Sequence, residues 1–117
     1  MAIDFVLAVI PVANLDTAGA WYERLLGRAP DNRPMETLAE WRVTDTGWVQ
    51  VFKDTERAGT ALLNLAVDDL PAHVAELSSR GLAAGEIEGV NKGVQLSAIT
   101  DPDGNRITFI GNFRIKY

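Results

Sequence analysis

The chain contains the same pattern twice, and this repeat limits its possible folds more than any other feature. Residues 12–15 read VANL and residues 67–70 read VDDL, and each segment follows an apolar run. Each also opens a stretch in which apolar residues recur at helical spacing. Two copies of one unit, side by side, can bury each other's edges and leave a shared concave face.

Both copies have a helix with clear start and stop signals. In the first copy, Asn14 is the predicted N-cap and Gly27 the predicted C-terminal stop. In the second copy, Asp69 is the predicted N-cap and Gly81 the stop. Pro71 lies in the first turn of this second helix, where proline is tolerated.

Each predicted helix is followed by turn-rich residues and then by alternating strands. The strands LAEWRV and GWVQVF are joined by TDTG, and the strands GVQLSAIT and NRITFI are joined by DPDG. A weaker strand is expected before each hairpin, around residues 30–36 and 83–88. The repeated unit is therefore β-α-β-β-β, and residues 53–60, KDTERAGT, are the expected connection.

We therefore predict an α+β fold in one domain, residues 1–117, with module 1 at residues 1–56 and module 2 at residues 57–117. Two tandem βαβββ modules would form a cupped mixed sheet with the helices on its convex side. The concave side of such a sheet is a natural ligand site.

Composition excludes several classes of protein. The 117 residues are 47% hydrophobic and 23% charged, which suits one soluble globular domain. The chain has no cysteine, so disulfides, thiolate metal sites and cysteine nucleophiles are excluded, and cytoplasmic residence is expected. A net charge of −5 without a basic stripe argues against a nucleic-acid partner. We expect no membrane partner, since no apolar run is long enough for a membrane helix and the N-terminus lacks signal-peptide features.

Three segments resemble the vicinal oxygen chelate superfamily, which includes glyoxalase I, extradiol dioxygenases, and fosfomycin- and bleomycin-resistance proteins. They are IPVANLDTAGAWYERLLG (10–27), LAVDDLPAHVAELSSRGL (65–82) and TDPDGNRITFI (100–110). Their order and spacing cover nearly the whole chain. The resemblance implies paired βαβββ modules and, for small members, a homodimer.

In metal-dependent members, the resemblance implies ligands at equivalent positions on the first and last strand of each module. In this chain the four positions read Leu7, Gln50, Leu62 and Thr108. Leucine cannot ligate a metal, and an amide and a hydroxyl are poor ligands without a carboxylate or imidazole beside them. The chain offers only one histidine. We therefore expect no metal, no cofactor and no catalytic residue, as in the bleomycin-resistance branch, which uses the fold as a metal-free binding cup.

Strand alternation predicts which side chains line the cup. Trp48 and Phe52 could stack on a planar ligand, and Gln50, Asn64 and Thr108 could orient it by hydrogen bonds. The predicted ligand-binding residues are Phe5, Leu7, Trp41, Trp48, Gln50, Phe52, Leu62, Asn64, Arg106 and Thr108. The alternating positions predicted to face the helices are Val6, Ile10, Val49, Val51, Leu63, Leu65, Ile107 and Phe109.

Some of these assignments have an alternative. Trp41 lies on the neighbouring strand, and the sequence leaves its face open. Arg106 could meet a carboxylate or phosphate, or simply extend into solvent after its turn. The aromatic residues could instead fill the cup or pack in a dimer interface.

The sequence therefore favours a metal-free protein that holds a partly aromatic organic ligand, such as an antibiotic or a toxic compound, in an apolar cup. One alternative is an enzyme of the superfamily (a lyase, isomerase or dioxygenase) with a non-standard or absent metal site. Another is a dimeric interaction module whose aromatic residues contact protein. The sequence leaves open which ligand is bound and whether the modules pair within a chain or between chains.

Overall fold

The repeat in the sequence is a repeat in structure. The computed structural model describes residues 2–113. Module 1 contains β1 (Val6–Val12), α1 (Leu15–Leu26), β2 (Asn32–Met35), β3 (Leu38–Arg42) and β4 (Gly47–Lys53). Module 2 contains β5 (Leu62–Val67), α2 (Leu70–Ser79), β6 (Glu88–Gly89), β7 (Gln95–Thr100) and β8 (Arg106–Gly111), with a turn of 3₁₀ helix at Asn91–Gly93. The predicted α+β fold of two βαβββ units is confirmed.

The helix caps are those that the sequence predicts. The side chain of Asn14 accepts a hydrogen bond from the backbone N–H of Thr17, and Gly27 ends α1 in the left-handed conformation with a φ of 78°. Asp69 accepts in the same way from the N–H of Ala72 at the start of α2. Gly81, directly after the C-cap of α2, has a φ of 81°, a value that glycine adopts without strain.

Each module forms a mixed four-stranded sheet. The strand orders are β1-β4-β3-β2 and β5-β8-β7-β6. The first strand of each module runs parallel to the last, and the other pairs are antiparallel. The helix between the first and second strands supplies the long crossover that the parallel pair requires.

One strand differs from its predicted position. A strand was expected around residues 83–88, but β6 contains only Glu88 and Gly89. Before β6, the chain is held to β7 by single hydrogen bonds, from Gly85 N–H to the carbonyl of Ala98 and from the Ser97 hydroxyl to the carbonyl of Gly85. These isolated bonds fix the segment beside β7 without a regular ladder.

The core lies between the helices and one side of each sheet. It includes Ile10, Val49 and Val51 from module 1, and Ile107 and Phe109 from module 2. Most of the predicted helix-facing positions are therefore buried or pack against the core.

Val6 is the exception among the predicted core residues, because it is 70% exposed. It pairs with Gly47 at the first position of β1, whereas burial in this strand begins at Ala8 and is complete at Ile10. The start of β1 therefore extends beyond the part of the sheet that the core covers.

The DPDG turn connects the two modules. Asp101 is buried and accepts a 2.8 Å hydrogen bond from the hydroxyl of Tyr22 in α1. Asn105 is completely buried, donates to the carbonyl of Pro11 in β1 and accepts from the N–H of Ala61. The predicted turn and the residue that follows it thus connect module 2 by hydrogen bonds to both β1 and α1 of module 1.

Candidate ligand-binding faces

The side of each sheet opposite the core is open, and the strand registers define which side chains occupy it. We call the open side of the first sheet the module-1 face. Its three rows of paired residues are Leu7–Trp48–Arg42, Val9–Gln50–Glu40 and Pro11–Phe52–Leu38. Phe5 directly precedes β1 and is 51% exposed.

The open side of the second sheet is built in the same way, and we call it the module-2 face. Its rows are Leu62–Arg106–Thr100, Asn64–Thr108–Ala98 and Ala66–Ile110–Leu96.

The ladders support the internal alignment of the two modules. Leu7 pairs with Trp48 as Leu62 pairs with Arg106, and Val9 pairs with Gln50 as Asn64 pairs with Thr108. Leu7 and Leu62 therefore occupy equivalent positions, as do Gln50 and Thr108.

The two faces differ in chemistry. On the module-1 face, the half-buried rings of Trp48 and Phe52 lie on either side of Gln50 along β4. The module-2 face has no aromatic side chain in its described rows, and its first row is exposed at both Leu62 and Arg106. Aromatic stacking is therefore a property of the module-1 face.

A carboxylate that the sequence reasoning missed lies on the module-1 face. The Nε2 of Gln50 donates a 2.6 Å hydrogen bond to a carboxylate oxygen of Glu40, and both side chains are partly buried. The alternation of side chains along the strand LAEWRV could have indicated this position. Once Trp41 faces the core, alternation sends Glu40 and Arg42 to the open side.

Trp41 does not line this face, contrary to the prediction. It is completely buried on the helix side, where its ring lies 6.3 Å from that of Tyr22. Its indole N–H donates a 2.9 Å hydrogen bond to the carbonyl of Arg28. The buried indole therefore has the polar partner that it requires, and its place is in the core.

Among residues 2–113, three groups have shifted pKa values, and all three lie away from the open faces. Burial, with the adjacent Asp101 carboxylate, raises the pKa of Tyr22. The hydrogen bond from Arg57 lowers the pKa of Asp54 in the connection after β4. Burial and the nearby Arg80 lower the pKa of His73 on α2. These shifts arise from local structure on the helix side and in loops.

The residues at the four aligned positions do not fit a metal ion. Leu7 and Leu62 carry no donor atom, and the half-buried Gln50 and Thr108 lie on different sheets. Glu40 supplies one carboxylate beside Gln50, but two or three further ligands would be needed. Within residues 2–113, no three His, Asp or Glu side chains converge as a metal-binding group.

A cleft on the helix side also includes one residue from each face in its lining, Arg42 and Ala66. Its volume is about 510 Å³, and its lining includes Leu25 and Arg28 at the end of α1, and His73 and Arg80 on α2. Arg80 donates two hydrogen bonds to carbonyls of the last turn of α1, at 2.5 and 3.1 Å. The cleft thus lies where the two helices meet. Within the described part of the chain, no helix is long and apolar enough to cross a membrane.

The duplicated βαβββ unit and the open sheet faces are those of the vicinal oxygen chelate superfamily. The sequence model of the glyoxalase-like domain matches residues 5–110 of the chain. The protein therefore belongs to the glyoxalase-like domain family. No curated protein matches it significantly.

Solved structures of glyoxalase and bleomycin-resistance type share the fold of this chain. A glyoxalase/bleomycin resistance protein from Catenulispora acidiphila is 34% identical, with a TM-score of 0.86 over 92% of this chain and 96% of that one. A bleomycin-binding protein in complex with bleomycin is 23% identical, with a TM-score of 0.77 over 94% and 99%. An antibiotic-binding protein from Streptomyces, TnmS3, is 24% identical, with a TM-score of 0.72 over 95% and 98%. The last two likenesses show the fold.

Proposed function

We propose that the protein binds a partly aromatic small organic molecule on the module-1 face, without a metal ion. The observation that carries this proposal is the arrangement of Trp48 and Phe52 on either side of Gln50, on the side of the sheet away from the core. Rings at alternate positions of one strand lie roughly 7 Å apart and offer a flat apolar platform. The bleomycin-binding protein and the antibiotic-binding protein TnmS3 support the proposal through their shared fold.

Tryptophan fluorescence tests this proposal, because the three tryptophans differ in environment. Trp21 and Trp41 are buried in the core, whereas Trp48 is half-buried on the open face. A panel of planar organic compounds, including antibiotics, should contain ligands that quench Trp48. The Trp48→Phe variant should lose the quenching, and a panel that quenches neither protein would refute the proposal.

We also propose that the working form is a homodimer in which a second copy covers part of the open faces. Several large apolar side chains are exposed there: Leu7 at 48%, Val9 at 52% and Leu62 at 81%. Exposed large apolar side chains of this kind are typical of a protein interface. Sedimentation velocity should show a dimer, and Leu62→Glu should shift the equilibrium towards monomer. A wild-type monomer at high protein concentration would contradict the proposal.

A metal-dependent enzyme of the superfamily is the competing function, and the carboxylate of Glu40 is the observation that favours it. Elemental analysis of purified protein, with thermal shifts on adding Zn²⁺, Ni²⁺, Fe²⁺ and Mn²⁺, separates the two. We expect no stoichiometric metal and no shift, because the aligned positions lack donors. Bound metal that EDTA removes with a loss of stability would favour the metal-dependent enzyme over the metal-free binding protein.

A further inference from the structure

The hydrogen bond between Gln50 and Glu40 fixes the orientation of the Gln50 amide. An ionised carboxylate only accepts hydrogen bonds, so the NH₂ group of Gln50 must face Glu40. The amide carbonyl of Gln50 is then turned away from this bond and can only accept. The position therefore presents an acceptor to a ligand, even though an isolated glutamine could present either group.

Glu40 adds a second acceptor and a negative charge. One carboxylate oxygen accepts from Gln50, and among residues 2–113 no ion pair neutralises Glu40. Arg42 lies two residues further along β3, but its guanidinium donates to the carbonyl of Asp45 in the hairpin turn. The second carboxylate oxygen and the Gln50 carbonyl thus form a pair of acceptors beside an unneutralised charge.

The surroundings of this acceptor pair are aromatic and apolar. Trp48 and Phe52 lie two residues before and after Gln50 on β4, and Val9 lies opposite Gln50 on β1. Aromatic faces attract organic cations, and partial burial strengthens a charge-assisted hydrogen bond. The net charge of −5 further favours the approach of a cation.

We propose that Glu40 is a specificity-determining residue that selects a planar organic cation, with Gln50 held as its second acceptor. The matching ligand class is an amidine, a guanidine or a protonated amino-heteroaromatic group on an aromatic body, because such groups present parallel N–H donors. This inference rests on the proposed ligand-binding function of the module-1 face.

Three probes of similar shape and different charge test the inference: naphthamidine, naphthylmethanol and naphthoate. Binding is followed through Trp48 fluorescence and confirmed by calorimetry. Wild-type protein should bind the amidine at least about tenfold more tightly than the alcohol, and the alcohol more tightly than the carboxylate. The Glu40→Gln variant should bind the alcohol as before and lose the preference for the amidine.

The control is Glu23→Gln, which removes the same charge from an exposed position on α1, behind the sheet. It should retain the preference. Equal binding of the three probes by wild-type protein, or a preference that survives Glu40→Gln, would overturn the role of Glu40 and leave the ligand-binding function intact. Failure of every probe to bind the face would overturn both proposals.

Discussion

The burial of His73 makes the stability of the fold depend on pH. Its Nε2 is buried and has no hydrogen-bond partner among the described residues, and its ring lies 4.7 Å from the ring of Phe109. Burial is the largest cause of its lowered pKa. Arg80 lowers it further, and Glu76 and Asp68 oppose the shift. The folded protein therefore prefers the neutral imidazole.

This preference predicts a loss of stability on acidification. The unfolded chain takes up a proton near the ordinary histidine pKa of about 6.5, whereas the folded protein takes it up at lower pH. Unfolding free energy should therefore decrease as the pH falls from about 7 to 5.5, a window above most carboxylate titrations.

The measurement is urea unfolding at several pH values for the wild type and His73→Leu. The variant should lack this part of the pH dependence. The chain has one histidine, so its Cε1 proton resonance reports the folded-state pKa directly. Identical pH profiles, or a folded pKa at or above 6.5, would contradict the prediction.

At the scale of elements, the sequence predicts what local chemistry controls. Both helix starts follow from the caps Asn14 and Asp69, whose side chains bond within their own first turns. The face of Trp41 is not predictable from its strand, because its burial depends on Tyr22 in α1 and on the carbonyl of Arg28, which precede the strand in the chain. The position of Glu40 on the open face is unpredictable for the same reason, since strand alternation places it opposite to Trp41. β6 is short because side-chain and backbone bonds replace most of its ladder.

Two glycines in and after α1 give a matched test of these local rules. Gly27 has a φ of 78°, and an added Cβ would lie 3.3 Å from the Arg80 guanidinium. Gly27→Ala should therefore destabilise the protein by about 1–2 kcal/mol. Gly19 lies in the helix interior, where an added Cβ would have no heavy atom within 4 Å apart from the adjacent residues and the helix's own backbone. Gly19→Ala should stabilise by about 0.5–1 kcal/mol.

Thermal and urea unfolding of the two variants check the prediction. The two changes in unfolding free energy should have opposite signs. Both substitutions add one methyl group to the same helix, at its C-terminal end and in its interior, so only the position differs. Stabilisation by Gly27→Ala would show that the helix does not end in the left-handed conformation.

At the scale of the whole molecule, the question is whether two modules with separate sheets behave as one domain. Their apolar side chains form one core cluster. The buried polar contacts between them converge on the DPDG turn, where Asn105 bridges Pro11 and Ala61 and also donates to Asp101. Because the Asn105 side chain is completely buried, water cannot readily replace a partner that it loses. We propose that this bridge makes the modules one cooperative unit.

The Asn105→Ala variant tests the bridge. It leaves the N–H of Ala61 without its partner and removes one of two donors to the carbonyl of Pro11, which also accepts from the N–H of Gly59. We therefore expect a loss of about 1–3 kcal/mol. Wild-type protein should unfold in one transition by both circular dichroism and tryptophan emission. The control is Asn64→Ala on the module-2 face, an exposed position where the change should be within about 0.5 kcal/mol. Because module 1 contains all three tryptophans, separate transitions by the two probes in wild-type protein would show that the modules unfold independently.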